Sequence, residues 1–246
     1  MMKHKILPFL IFILFVQFFS AQVLKDCSNC ATQIIKQEQI KDLSLDEIKS
    51  LTNEIYARNG YEFDNPRFQQ HFESKPWYSS KKDNKKVNLN DVEKKNITLF
   101  QNQSKQLKAE RDLIISQLKS LKNLVVENKT NELRSKFSFI YDAQYGEENQ
   151  KLLKEVLSKI DLDDINYYKN KGLNSVTVDN GFVKILYEVS LDGKNINLFY
   201  NRMAHSNIIE DFDEFTDYHS ENEFMYNWQF ELKGNKLAYI RLASAG

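Results

Sequence analysis

"NEIYARNGYEFDNPRF", Asn53 to Phe68, closes one helical pattern on Arg58-Asn59-Gly60 and opens another at Pro66. Upstream of it, Leu45, Ile48, Leu51, Ile55 and Tyr56 recur at helical spacing. Ser44-Leu45-Asp46-Glu47 reads as a capping box, in which the serine oxygen accepts the third amide and Glu47 reaches back. Gly60 falls where a left-handed residue is wanted after the last turn, so Asn59-Gly60 is a stop signal. The spacing predicts a helix over 45–58, with Glu54 and Arg58 as an i, i+4 pair in the favourable order. Tyr61 and Phe63 then form a short extended piece, and Asp64-Asn65-Pro66 caps and starts a second helix. Phe68 and Phe72 share its inner face, and Pro76 ends it.

Trp77 and Tyr78 follow, then the polar loop "SSKKDNKKVN". A third helix opens at Asn90, with Val92, Ile97, Leu99 and Phe100 available for burial. Its pattern continues through Leu107, Ile114, Leu118 and Leu121 as a long, polar-faced connector.

"NEIYARNGYEFDNPRFQQHFESKPWY…VEKKNITLF" resembles the YARHG domain, a small extracytoplasmic module of bacterial proteins. Tyr56, Ala57, Arg58 and Gly60 match its core, and Asn59 stands where the family has histidine. The hydrophobic helix before the core, the aromatic after the glycine, Phe72…Trp77-Tyr78 and Glu93…Asn96-Ile97 also match. The resemblance covers residues 43–103 and implies location and fold, with no established activity. Asparagine at position 59 argues against essential metal or acid–base chemistry there and suits a cap, since it tolerates unusual backbone angles.

At the N-terminus, Lys3, His4 and Lys5 precede the apolar run Ile6–Phe19, with Ser20 and Ala21 before Gln22. That is the layout of a signal peptide over residues 1–21, whose apolar run makes about 21 Å of helix, too short for a ~30 Å bilayer core. A secreted or periplasmic chain with no membrane span after cleavage is expected. Its two cysteines, Cys27 and Cys30, lie in the segment 22–42. In an oxidising compartment an i, i+3 pair can close a local disulfide. A redox motif would want a βαβ setting, zinc would need two further ligands, and a lipidated cysteine normally follows small apolar residues.

The C-terminal half reads differently. Residues 131–141 and 149–160 have helical patterns, and then the period changes to two. "SVTVDNGFVKILYEVSLDGKNINLFYN" predicts three strands joined at Asn180-Gly181 and Asp192-Gly193. Val183, Ile185, Tyr187, Val189 and Leu191 share one face of the middle strand. "FMYNWQFELKGNKLAYIRLA" predicts a further hairpin turning at Gly234-Asn235, with Phe224, Tyr226, Trp228, Phe230 and Leu232 together. The expected class is α+β: a helical module over 43–103, a helical connector over 104–130, and a domain over 131–246. In that domain about five antiparallel strands are packed by helices. Helices followed by a curved sheet ending in a Trp-bearing hairpin also resemble the NTF2-like fold. Residues 22–135 carry 20 Lys/Arg against 16 Asp/Glu, and 136–246 carry 12 against 18, which fits two folding units. Neither balance suggests nucleic acid.

Catalytic motifs are scarce. No GxSxG, P-loop, GxGxxG or HExxH occurs, and the histidines after the leader are His71, His205 and His219. No catalytic residue, metal or cofactor is expected. Tyr56, Arg58, Trp77 and Tyr78 could hold a carboxylate or phosphate on an envelope fragment through the arginine fork. The core of a small module is the preferred reading, because such a module needs most of its aromatics for itself. Tyr187, Tyr200, Tyr226 and Trp228 could line a pocket on the sheet or pack beneath the helices. The acidic stretch from Ile208 to Glu223 lacks calcium-loop spacing, as does "DLDDINYYKNKG" from Asp161. "KKDNKK", Lys81 to Lys86, reads as an exposed loop that could also touch anionic polymers. The sequence therefore points to a non-enzymatic binding or accessory protein of the cell envelope, its partner an envelope component or a protein. A cell-wall hydrolase accessory, a thiol–disulfide enzyme and a structural spacer are the alternatives.

Overall fold

The computed structural model describes residues 23–141, 146–203, 206 and 223–246. The expected signal peptide, His205, His219 and the acidic stretch up to residue 222 lie outside the described residues.

The predicted caps form. Helix α1 (Leu45–Arg58) starts at Ser44, whose Oγ accepts from Glu47 N at 3.2 Å while Glu47 Oε2 accepts from Ser44 N at 2.9 Å. It stops where predicted, and Gly60 takes φ +80°. Helix α2 (Pro66–Glu73) is capped by Asn65, whose side chain accepts from Arg67 N at 3.0 Å. Helix α3 (Asp91–Val126) is a single run of 36 residues, about 54 Å long. Helix α4 (Thr130–Phe137) ends earlier than its pattern suggests, because Ser138 turns left-handed at φ 57°. That turn releases Phe139 from the helix into the core. Helix α5 spans Gly146–Lys159.

The sheet has six strands rather than about five: β1 (Asn166–Tyr168), β2 (Lys171–Asp179), β3 (Lys184–Asp192), β4 (Asn195–Met203), β5 (Phe224–Lys233) and β6 (Lys236–Ala245). They lie in sequence order and all pairs are antiparallel. The additional strand is the three-residue β1. Two turns shift from their predicted places. The β2–β3 loop takes in Asn180 to Val183, closed by Asn180 N donating to Val183 O at 3.3 Å. The β3–β4 turn sits on Gly193-Lys194, because Asp192 and Asn195 pair across it. The β5–β6 turn falls on Gly234-Asn235 as predicted.

Two clusters of buried side chains result, and α3 belongs to both. Cys27, Cys30, Ile35, Ile40, Ile48, Leu51 and Ile55 pack against Ile97 and Phe100 on its first half. Ile114, Leu118, Leu121 and Val125 on its second half join α4, α5 and the sheet's inner face. The alternation along β3 to β5 puts Tyr187, Val189, Leu198, Trp228 and Phe230 on that face.

Candidate functional site

Tyr56, Arg58, Trp77 and Tyr78 do come together, and their contacts bind the corner to itself. Arg58 donates from Nε at 2.9 Å and from a terminal nitrogen at 2.6 Å to the same oxygen of Glu54. Its guanidinium lies over Trp77, 4.1 Å from the ring centre. Tyr56 meets Tyr61 edge-on at 5.6 Å, Tyr61 meets Phe63 at 4.9 Å, and Phe63 stacks on Phe72 at 5.2 Å. Phe72 is buried and reaches Trp77 and Tyr78. The Tyr78 hydroxyl donates to Tyr61 O at 2.9 Å. Trp77 keeps 37% of its surface exposed, so the corner presents one aromatic edge to solvent.

The Asn59 position is a structural tie. Its Nδ2 donates to Ile55 O at 2.9 Å and to Glu93 Oε1 at 2.7 Å. Glu93 is buried, and its other oxygen accepts from Asn90 N at 2.8 Å, so one carboxylate caps α3 and anchors α1. Asn96, 1% exposed, holds the N-terminal segment in the same way. It accepts from Ile35 N at 2.8 Å and donates to Cys30 O and Gln33 O, both at 2.9 Å.

Cys27 and Cys30 form a disulfide with Cα atoms 4.8 Å apart, 0% and 2% exposed. Among the described residues no group of three or more His, Cys, Asp or Glu side chains is placed to hold a metal ion.

In the C-terminal half, Tyr187 and Trp228 are packed away from solvent and Tyr226 is half-buried. Tyr187, Tyr200 and Tyr226 are cross-strand neighbours on β3, β4 and β5. The Tyr187 hydroxyl donates to Glu155 on α5. Burial and that carboxylate raise the Tyr187 phenol above its ordinary range. Burial alone pushes Tyr141 up to about 12.

Sequence reasoning missed the place where the two halves meet. Arg111, midway along α3, lies 3.9 Å above the Tyr167 ring of β1 and donates to Lys169 O at 3.0 Å. Asn170 Nδ2 donates to Asp42 O at 3.3 Å across the same junction. Burial lowers the Arg111 pKa and raises that of Tyr167, whose hydroxyl is buried without a hydrogen-bond partner among the described residues. Beside them opens a hollow of about 670 Å³, lined by Leu45 of α1, Lys108 to Lys119 of α3, and Leu162, Ile165 and Tyr167. No local signal marks it, since Arg111 and Tyr167 meet only after the sheet forms.

The N-terminal part is thus a disulfide-stapled helical module with an aromatic corner and buried amide ties. Residues 25–105 match the family model of the YARHG domain, an extracytoplasmic module. The match reaches further upstream than residues 43–103, and the burial of Cys27, Cys30, Ile35 and Ile40 with α1 gives the physical reason. No curated protein and no solved structure matches the chain, and the NTF2-like resemblance gains no support. Among the described residues no helix is long and apolar enough to cross a membrane.

Proposed function

We propose that the chain is a non-enzymatic accessory protein of the cell envelope, secreted or periplasmic, that binds an envelope component where its two halves meet. The observation carrying this reading is the Arg111–Tyr167 junction and its hollow, to which α1, α3 and the β1 segment all contribute. The candidate groups elsewhere are already engaged: Arg58 with Glu54 and Trp77, Tyr78 with Tyr61, and the cysteines with each other. Burial of both sulfurs weighs against the thiol–disulfide alternative. The continuity of α3 through both cores favours a spacer as the second reading.

A thermal-shift screen of the purified protein against peptidoglycan fragments, anionic sugars and Ca²⁺ tests this. A ligand at 100 times its Kd adds about 2.7 kcal/mol and raises the melting midpoint. No shift with any of them removes the binding reading and leaves the spacer.

A further inference from the structure

The geometry points to a groove for an acidic glycan along the middle of α3. This rests on the binding reading above and names the ligand class. Between Leu107, which packs on the first core, and Leu113, which packs on the second, neither core covers the exposed face of the helix. Two hollows of about 670 and 750 Å³ meet there, sharing Leu45, Lys108, Arg111 and Asp112, and extend along the helix to either side. Their floor follows one helical stripe from Gln101 through Lys105, Lys108 and Asp112 to Lys119. Eighteen residues of rise make it about 27 Å long, which suits an extended oligomer.

The charges along this floor are unequal. Lys49, Lys105, Lys108, Arg111 and Lys119 face Asp46, Asp112 and Asp163. Lys119 is already paired with Asp163. Lys105 and Lys108 are exposed and have no ion pair among the described residues. Arg111 uses one of its five N–H donors on Lys169 O, and burial disfavours its charge while the nearby Asp46 carboxylate partly offsets this. A carboxylate offers that fork two acceptors in its own plane. The Tyr167 ring lines the hollow beneath that guanidinium and holds it in place, while its hydroxyl is buried away from solvent.

A glycan fits better than an acidic peptide because of the lining away from the charges. The hollow nearer α1 is walled by two helices, so it offers no strand edge for backbone pairing. Its only apolar residues are Leu45 and Ala109, the rest of its apolar surface being the stems of polar side chains, so it has no apolar recess for peptide side-chain anchors, while Thr52, Asn53, Gln101 and Ser104 suit ring hydroxyls.

The test is titration of the purified protein with oligogalacturonate at low and physiological salt. A neutral malto-oligosaccharide and an oligoglutamate of matched length are the comparators. Binding of oligogalacturonate is expected, weakening with salt, and the Lys105→Glu, Lys108→Glu double variant should lose about tenfold in affinity with an unchanged melting midpoint. No binding, full binding by the double variant, or equal binding of the neutral sugar overturns the assignment. Equal binding of oligoglutamate overturns it in favour of an acidic peptide. A positive envelope screen alongside any of these failures keeps the binding reading and moves its site; silence in both removes both.

Discussion

Replacing Gly60 by alanine separates a corner built for shape from one built for a ligand. Gly60 sits at φ +80°, where an L-residue pays about 1–2 kcal/mol of steric cost. Its carbonyl accepts from Lys81 N at 2.9 Å, which pulls the 79–81 loop against it. A Cβ at position 60 would meet Ser79 O and Lys81 Cγ, both at 2.8 Å. The lysine carbon can swing away, but the carbonyl is backbone, and such overpacking adds about 1–3 kcal/mol. The total is about 2–5 kcal/mol. Arg58→Ala removes a helical i, i+4 pair worth about 0.3–0.5 kcal/mol and a cation–π contact worth about 0.5–1 kcal/mol. It gains back a little helix propensity, so about 1 kcal/mol is lost. At about 2–4 °C per kcal/mol, Gly60→Ala should lower the melting midpoint by about 4–20 °C and Arg58→Ala by only a few degrees. Circular dichroism melts of both variants and the parent read this directly. Equal losses would refute the steric argument, and a larger loss for Arg58→Ala would mean that its ties to Glu54 and Trp77 hold the corner.

Asn59→Ala should cost about 1–3 kcal/mol in urea unfolding, because it leaves the buried Glu93 oxygen without its donor. Asn59→His should stay within about 1 kcal/mol of the parent, since an imidazole N–H can serve the same carboxylate; a histidine variant as weak as the alanine one would contradict the tie. Replacing Cys27 and Cys30 together by serine should cost about 2 kcal/mol, the value for so short a loop, and the native disulfide should resist a mild reductant that cleaves it in urea. Tyr141 is raised from 10.0 to about 12 by burial, so the native state keeps a proton that the unfolded chain releases. Stability should therefore fall as pH climbs from about 10 to about 12, and Tyr141→Phe should flatten that slope in urea midpoints; an unchanged slope would place the titration elsewhere.

Local rules made the helix boundaries between Ser44 and Asn90 legible. The capping box at Ser44, the helix start at Asn90, the Asx cap at Asn65 and the stop at Gly60 each act within a few residues. β1 escaped because three residues show no period and because its partner, Lys171 to Leu173, comes after a left-handed Lys169 that nothing in the side chain announces. Without β1, Tyr167 had no place, and the segment looked like a failed calcium loop. The Arg111–Tyr167 stack spans 56 residues of chain and depends on β1, so the junction was unreadable for the same reason. The Glu93 and Asn96 motif residues were visible, but their roles were not. Each ties segments distant in sequence, and polar residues on a helix otherwise read as solvated.

The opposed charges of the two halves suggested separate units with a connector between them, and α3 alters the meaning of that connector. A helix joining two independent bodies would be polar all round where it leaves one and enters the other. Here Leu107 still packs on the first core and Leu113 already packs on the second, so the uncovered stretch is little more than one turn. Arg111 occupies that turn, stacked on the far half and drawn electrostatically toward Asp46 of the near one. Bending α3 at this point would therefore break the Tyr167 stack and open the shared hollow at once. Spacer and binding site are then two consequences of one geometry. The continuity of the helix keeps both walls of the groove in register, and a ligand bridging them would in turn resist its bending.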